Sequence, residues 1–212
     1  MEACRSSWCW IPSSCRFEST LVLSKLKIEV DNYPVWTDEI TLETWPKGID
    51  RLFALRDFLF LNNSGEVLAR ATTSWIIIDF TTRRPQKLDL VEPFRYSNID
   101  RHAISAKPER LVLTSASNPW QHRVVHSDID MNQHVNNIRY LDWMMDASNT
   151  EHHQKKKVEI IQIDFLQEVK PDEIIELHRQ QSSPSEWDIS GRNITSGKTS
   201  FNAKLIWKSN LQ

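Results

Sequence analysis

Apolar and polar positions alternate along residues 21–30, 40–45, 52–61 and 67–80, and this period of two predicts four strands. Turn signals separate them at Asn32-Tyr33-Pro34, Pro46-Lys47-Gly48 and Asn62-Asn63-Ser64-Gly65, as in an antiparallel meander. A second set of strands is expected at 158–165, 173–178 and 199–207. In the last of these, Phe201, Ala203, Leu205 and Trp207 alternate cleanly. Between the two sets the pattern changes. Asp128, Asp130, Asn132 and His134 interleave with Ile129, Met131, Gln133 and Val135, a spacing that predicts one polar side carrying two carboxylates, an amide and an imidazole. A helix then follows over 137–148, with Asn136 and Asn137 as caps and Ile138, Leu141 and Met145 at helical spacing. Tyr140, Trp143, Met144 and Ala147 widen its apolar face beyond that of a surface helix, so something must wrap it.

The two sets of strands echo each other. Asp38-Glu39-Ile40 matches Asp172-Glu173-Ile174, Ser64-Gly65 matches Ser196-Gly197, and Trp75 matches Trp207, at intervals of 26 and 11 residues in the first half and 24 and 11 in the second. Three short matches in one order predict a tandem repeat. The organisation expected is an unpatterned segment over 1–20, a first repeat over 21–100, a linker over 101–117 and a second repeat over 118–212. The stretch 149–157, with His152 and His153 beside three lysines, reads as a solvated loop rather than a metal site.

Composition narrows the chemistry. With 212 residues, 40% hydrophobic and 25% charged, the chain is an ordinary globular one. A net charge of −2 argues against a nucleic-acid partner, and no apolar run approaches the roughly 20 residues of a membrane span. Four glycines are too few for a phosphate-cradling loop or a Gly-x-Ser-x-Gly elbow, so nucleotide cofactors and serine hydrolysis drop out. Cys4, Cys9 and Cys15 have neither zinc spacing nor a disulfide framework, which suits a reducing compartment. No secretory leader is expected, and a cytoplasmic location is the first reading, with a plastid as the alternative.

The polar turn could serve only to cap and reverse the chain. It could also carry a base and an electrophile together, because a helix start favours a developing oxyanion. The whole run Ser127-Asp128-Ile129-Asp130-Met131-Asn132-Gln133-His134-Val135-Asn136-Asn137-Ile138-Arg139-Tyr140 resembles the active-site segment of the acyl-acyl carrier protein thioesterases. Residues 35–40, 65–71 and Thr82-Arg83-Arg84-Pro85 resemble the first repeat of the same family, so the likeness runs from about residue 21 onward.

The resemblance implies an α+β tandem hot-dog fold, in which bent antiparallel sheets wrap a central helix. It implies Asp130, Asn132 and His134 as catalytic positions, and Glu168 as a fourth. Plant members place a Cys after that Glu, where this chain has Val169, so a carboxylate-and-histidine mechanism is what remains. Whether Asp130 or His134 activates water stays open. N–H groups near Asn136 and Asn137 are candidates for an oxyanion hole. The implied partner is acylated acyl carrier protein, with Arg83 and Arg84 the first choice for its docking. No cofactor or metal is implied, and self-association into a homo-oligomer is left open. An acyl-coenzyme A thioesterase and a catalytically silent acyl-binding protein are the competing readings. Finally, His134 lies 38 residues before Asp172, whereas 38 residues before Asp38 is position 0. The first repeat is therefore expected to lack a central helix, and the chain reads as shortened at its N-terminus relative to the family.

Overall fold

The computed structural model describes residues 19–79, 81–86, 100–108, 110–111, 119–148 and 150–209. Residues 1–18 of the expected N-terminal segment, and residues 109 and 112–117 of the 101–117 linker, thus lie outside the described residues, while Ser19 and Thr20 already belong to the first strand. Strands β1 (Ser19–Val30), β2 (Thr41–Asp50), β3 (Phe53–Leu61) and β4 (Val67–Asp79) form the first half. The second half contains β5 (Trp120–Arg123), α1 (Asn137–Asp146), α2 (Thr150–Lys155), β6 (Lys156–Phe165), β7 (Ile174–Ser183), β8 (Glu186–Asn193) and β9 (Thr199–Ser209). All nine strands belong to one sheet in the order β2-β3-β4-β1-β6-β9-β8-β7-β5, and every pairing is antiparallel.

Outward from the central β1–β6 pair, the order β1-β4-β3-β2 on one side matches β6-β9-β8-β7 on the other, with the short β5 added beyond β7. The matched dipeptides occupy equivalent places. Asp38 and Asp172 precede β2 and β7, while Gly65 and Gly197 turn β3 into β4 and β8 into β9 at φ of 81° and 69°. Those two turns need a left-handed residue, which is why glycine stands in both. The doubled order is the tandem hot dog that the repeat predicted.

The core sits in the second half. Tyr140, Trp143 and Met144 of α1 pack with Val158, Ile163, Leu177, Ile189, Phe201, Leu205 and Trp207 from the surrounding strands. These are the inward positions of a period-two pattern closing on a helix. Of the wide apolar face expected, Tyr140, Trp143, Met144 and Ala147 are buried, whereas Leu141 and Met145 are only partly covered and Ile138 is exposed. Aromatic bulk, with spacing i, i+3, i+4 and i+7, decided the face.

The first half has no such filling. Cross-strand neighbours share a face, so the row Ile161, Ile28, Ala71 and Phe58 continues the face that α1 covers in the second half. Among the described residues of the first half there is no helix to cover it, and Leu42, at the far strand, is 47% exposed. The opposite face is covered by part of the linker. Trp45 donates its indole N–H to Arg101 O at 3.0 Å, Ala103 N–H donates to buried Asp57 at 2.7 Å, and Leu111 N–H donates to Asp164 at 2.8 Å. Lys47 completes the clamp by bonding Ile104 O and pairing with Asp57 at 3.4 Å.

Four local expectations need correction. The signal Pro46-Lys47-Gly48 is a bulge within β2, where the register shifts, and the chain reverses at Arg51-Leu52 instead. Residues 150–155 are helical, because Glu151 and Lys155 form an i, i+4 pair and His152 stacks between Trp187 and Trp207. Strand β7 continues to Ser183 through a polar stretch, paired residue by residue with β8. Strand β8 carries no long apolar run, since Gly191 takes an inward position to make room for Phe201.

Candidate active site

The polar run does not form a strand. His126–Asp128 make one 3₁₀ turn, Ile129 and Val135 bridge across the loop, and residues between them reverse the chain. Gln133 takes a left-handed φ of 64° to do so. The expected common side therefore splits. Asp128 turns inward and is 5% exposed, while Asp130, Asn132 and His134 gather at the surface.

Asp130 organises this surface cluster. Its Oδ1 accepts the Asn132 N–H at 2.8 Å and the His134 N–H at 3.3 Å, and the Asn132 amide lies 3.5 Å from Oδ2. Its own N–H donates to His134 O at 2.8 Å. Desolvation pushes the Asp130 carboxyl up, but the N–H groups of His134 and Asn132, the Asn132 amide and the His134 charge outweigh it together. The net effect holds the carboxyl below its ordinary value.

His134 points to a different partner. Its Nε2 lies 2.8 Å from Glu168 Oε1, on the β6–β7 loop, so residues distant in sequence meet here. An ionised carboxylate only accepts, which puts the imidazole proton on Nε2 and leaves Nδ1 with its lone pair. Val169, the residue after Glu168, is fully buried in the core beside Tyr140. Tyr140 is held by edge-on contacts to Phe165 and Phe201 at 5.3 and 5.4 Å, and burial above all pushes its phenol above the ordinary value. The structure thus joins Asp130 to Asn132 and His134 to Glu168.

The helix start is more fully used than the sequence suggested. Asn136 is the cap, its side chain accepting the Ile138 N–H at 3.1 Å, while its own N–H donates to Asp128 O at 2.8 Å. Asn137 is the first helical residue and not a second cap. The Asn136 and Ile138 backbone N–H groups are therefore committed within the loop.

Arg83 and Arg84 lie in an exposed turn after β4, fixed by Asp79, which accepts from the N–H groups of Thr81 and Thr82 at 3.0 and 2.6 Å. Ser19 of β1 pairs with Asp79, and Lys25 pairs with Asp164 near the end of β6. The arginine turn and the Glu168 loop thus both leave the sheet toward the N-terminal end of β1, at Ser19 and Lys25 respectively. Among the described residues no three of His, Cys, Asp and Glu gather as metal ligands. Sequence reasoning passed over His122, whose Nε2 lies 2.9 Å from Asp128 Oδ2. No motif spacing marks it, because the pairing depends on the short strand β5.

Comparison with known proteins agrees with this architecture. The acyl-ACP thioesterase N-terminal domain model matches residues 16–93, and the acyl-ACP thioesterase C-terminal domain model matches residues 113–209. The chain is 28% identical over 183 residues to oleoyl-acyl carrier protein thioesterase 2, chloroplastic, of Arabidopsis thaliana, covering 78% of this chain and 48% of that protein. It spans about half the length of the plant relatives it matches. Among solved structures, an acyl-ACP thioesterase from Bacteroides thetaiotaomicron superposes with a TM-score of 0.82 at 28% identity, over 90% of this chain and 77% of that one. The 12:0-ACP thioesterase from Umbellularia californica shares the fold, with a TM-score of 0.80 at 21% identity, over 91% and 76% of the two chains. With its N- and C-terminal domain models matching both repeats, the chain belongs to the acyl-ACP thioesterase family.

Proposed function

We propose that the chain is a thioester hydrolase that releases fatty acid from acyl carrier protein. The observation that carries this reading is the His134–Glu168 pair at 2.8 Å, set beside the Asp130–Asn132 turn at the entry to α1. Glu168 holds the imidazole with its proton on Nε2, so Nδ1 is the site that takes a proton from water. The water oxygen adds to the thioester carbonyl carbon, and the tetrahedral oxyanion then expels the pantetheine thiolate. That leaving group departs without needing an acid, since a thiol of pKa near 8.5 is a competent anion.

Asp130 suits another task. Its carboxyl is held ionised by N–H donors, which makes it a weak base but a fixed negative charge beside the imidazolium that forms. The Asn132 amide and the Asn137 N–H at the helix start are the donors proposed for the oxyanion. The second repeat, 118–212, carries the chemistry. The first, 21–100, offers its uncovered apolar face to the acyl chain. Arg83 and Arg84 remain the proposed contacts for an acidic carrier protein, because their turn and the Glu168 loop leave the sheet at the same end of β4 and β6, the strands that flank β1. The names of the plant relatives place those enzymes in chloroplasts, which favours the plastid over the cytoplasmic reading.

The test is hydrolysis of a panel of acyl-acyl carrier protein and acyl-coenzyme A thioesters by the purified protein, with His134→Ala as control. Faster turnover of the carrier-protein thioesters, lost in the control, supports the proposal. Equal turnover of both classes would make it a general acyl thioesterase, and acyl binding without hydrolysis would make it a silent binding protein.

A further inference from the structure

We infer that Asp128, with His122 behind it, is a positioning residue that holds both ends of the catalytic turn. Burying a carboxylate is costly unless its oxygens are used, and Asp128 is 5% exposed although an ordinary capping Asp can stay in water. Each of its polar groups is engaged. Oδ2 accepts the Val125 N–H at 2.9 Å and the His122 Nε2–H at 2.9 Å, its N–H donates to Val125 O at 2.9 Å, and its carbonyl accepts the Asn136 N–H at 2.8 Å. Arg139 of α1 approaches Oδ1 at 4.0 Å, while its guanidinium also bonds Asp142 at 2.8 Å.

The consequence is geometric. Val125 ends the segment that follows β5, and Asn136 caps α1, so Asp128 ties the sheet edge to the helix start. The bonds described between them, Ile129 with Val135 and Asp130 with His134, tie the turn mainly to itself. The His134–Glu168 contact adds one exposed anchor. His122 is itself fixed, because its ring lies 4.6 Å from that of buried Trp143 at an interplanar angle of 39°. A path of contacts thus runs from the core through Trp143, His122 and Asp128 to the turn that bears Asp130, Asn132 and His134. Misplacing a reacting group by about 1 Å can cost on the order of 100-fold in rate, and removing an outer-shell partner of a functional residue costs about 10- to 100-fold where it has been examined at metal sites.

The kinetic arm of the test rests on the thioesterase reading, and the exchange arm does not. Asp128→Ala is expected to lower kcat by about 10- to 100-fold with KM within about threefold of the wild type. Asp128→Asn, which keeps an acceptor oxygen for the Val125 N–H, is expected to restore most of that loss. His122→Phe keeps a ring on Trp143 but deletes the bond, and is expected to lower kcat in the same direction by less. Hydrogen exchange is expected to speed at the Asn136 and Asp130 amides in Asp128→Ala and His122→Phe, while Trp143 and Met144 stay protected. A folded Asp128→Ala with wild-type kcat would overturn the inference, as would a loss shared by KM that Asn does not rescue. If Asp128→Ala does not fold, wild-type kcat in His122→Phe overturns it. If the wild-type protein hydrolyses no thioester, the functional proposal fails alone, and exchange decides: unchanged turn amides in His122→Phe, or uniform acceleration through α1, would reject the positioning role.

Discussion

Glu168 meets His134 across 34 residues of sequence, Oε1 to Nε2 at 2.8 Å, while the next residue, Val169, turns fully inward. One loop therefore supplies a surface carboxylate to the imidazole and an apolar plug to the core. Removing the imidazole should cost more than altering the neighbouring turn. His134→Ala is expected to reduce thioester hydrolysis by two or more orders of magnitude, and Glu168→Gln by about 10-fold or more. Asp130→Asn keeps an oxygen for the turn N–H groups and loses the charge, so its loss should fall below that of His134→Ala. Steady-state kinetics on the three variants ranks them, and a near-wild-type rate in His134→Ala would remove the proposed base.

The inward placement of Val169 also bears on thiol chemistry. The three cysteines, Cys4, Cys9 and Cys15, precede both repeats in sequence, and none occupies the position after Glu168. Iodoacetamide treatment is expected to leave hydrolysis intact. Loss of activity in step with modification of one cysteine would contradict the carboxylate-and-histidine mechanism.

The lowered pKa of Asp130 sets the sign of an acid effect. Its folded value lies below the unfolded one, so its contribution to the turn is complete above the unfolded value of about 4 and is lost as pH falls through the folded value. Carbon-detected titration of the Asp130 carboxyl should therefore give a midpoint below that of an unfolded Asp. A midpoint at or above about 4 would mean that the N–H donors do not hold the carboxylate as drawn.

Gly191 offers a test of core packing. A Cβ built there would come within 2.1 Å of the Phe201 ring, and Phe201 has no exposed surface into which to move. Gly191→Ala is expected to lower stability by about 1–3 kcal/mol, the usual cost of overpacking. Denaturant unfolding measures it, and an unchanged midpoint would show that the ring has room the structure does not reveal.

The two halves should also differ in protection. Large apolar side chains close around α1 in the second half, whereas Phe58, Ala71 and Ile28 share a face without a helix over it among the described residues. Amide exchange is expected to be slow in β6, β8 and β9 and faster in β2 and β3. Uniformly slow exchange through both halves of a demonstrated monomer would show that the first repeat is complete as it stands.

Much of this was legible from the pattern of residues. Alternation located β1, β3, β4, β6 and β9 because each has apolar residues on an inward face, and the paired Ser-Gly turns exposed the repeat. Strand β8 escaped because Gly191 and Asn193 stand at inward positions where apolar side chains would mark the period, and β5 because four residues are too few for any period to register. At the site, the motif picked out Asp130, Asn132 and His134, but its alternation wrongly put Asp128 with them. A loop closed by backbone bonds does not obey the period of a strand, so the inward turn of Asp128 and its pairing with His122 needed coordinates to be seen.

The join between the repeats is a hydrogen-bonded ladder, Lys25 with Asp164 through Glu29 with Ile160, and not the peptide that connects them. The described part of the connecting peptide is fastened to the sheet at Asp57, Lys47 and Asp164 through Ala103, Ile104 and Leu111. Recognition between the halves is therefore written into the edges of β1 and β6. Two separately made polypeptides, one for each repeat, are expected to reassociate through that ladder, and failure of the two to co-purify would count against it.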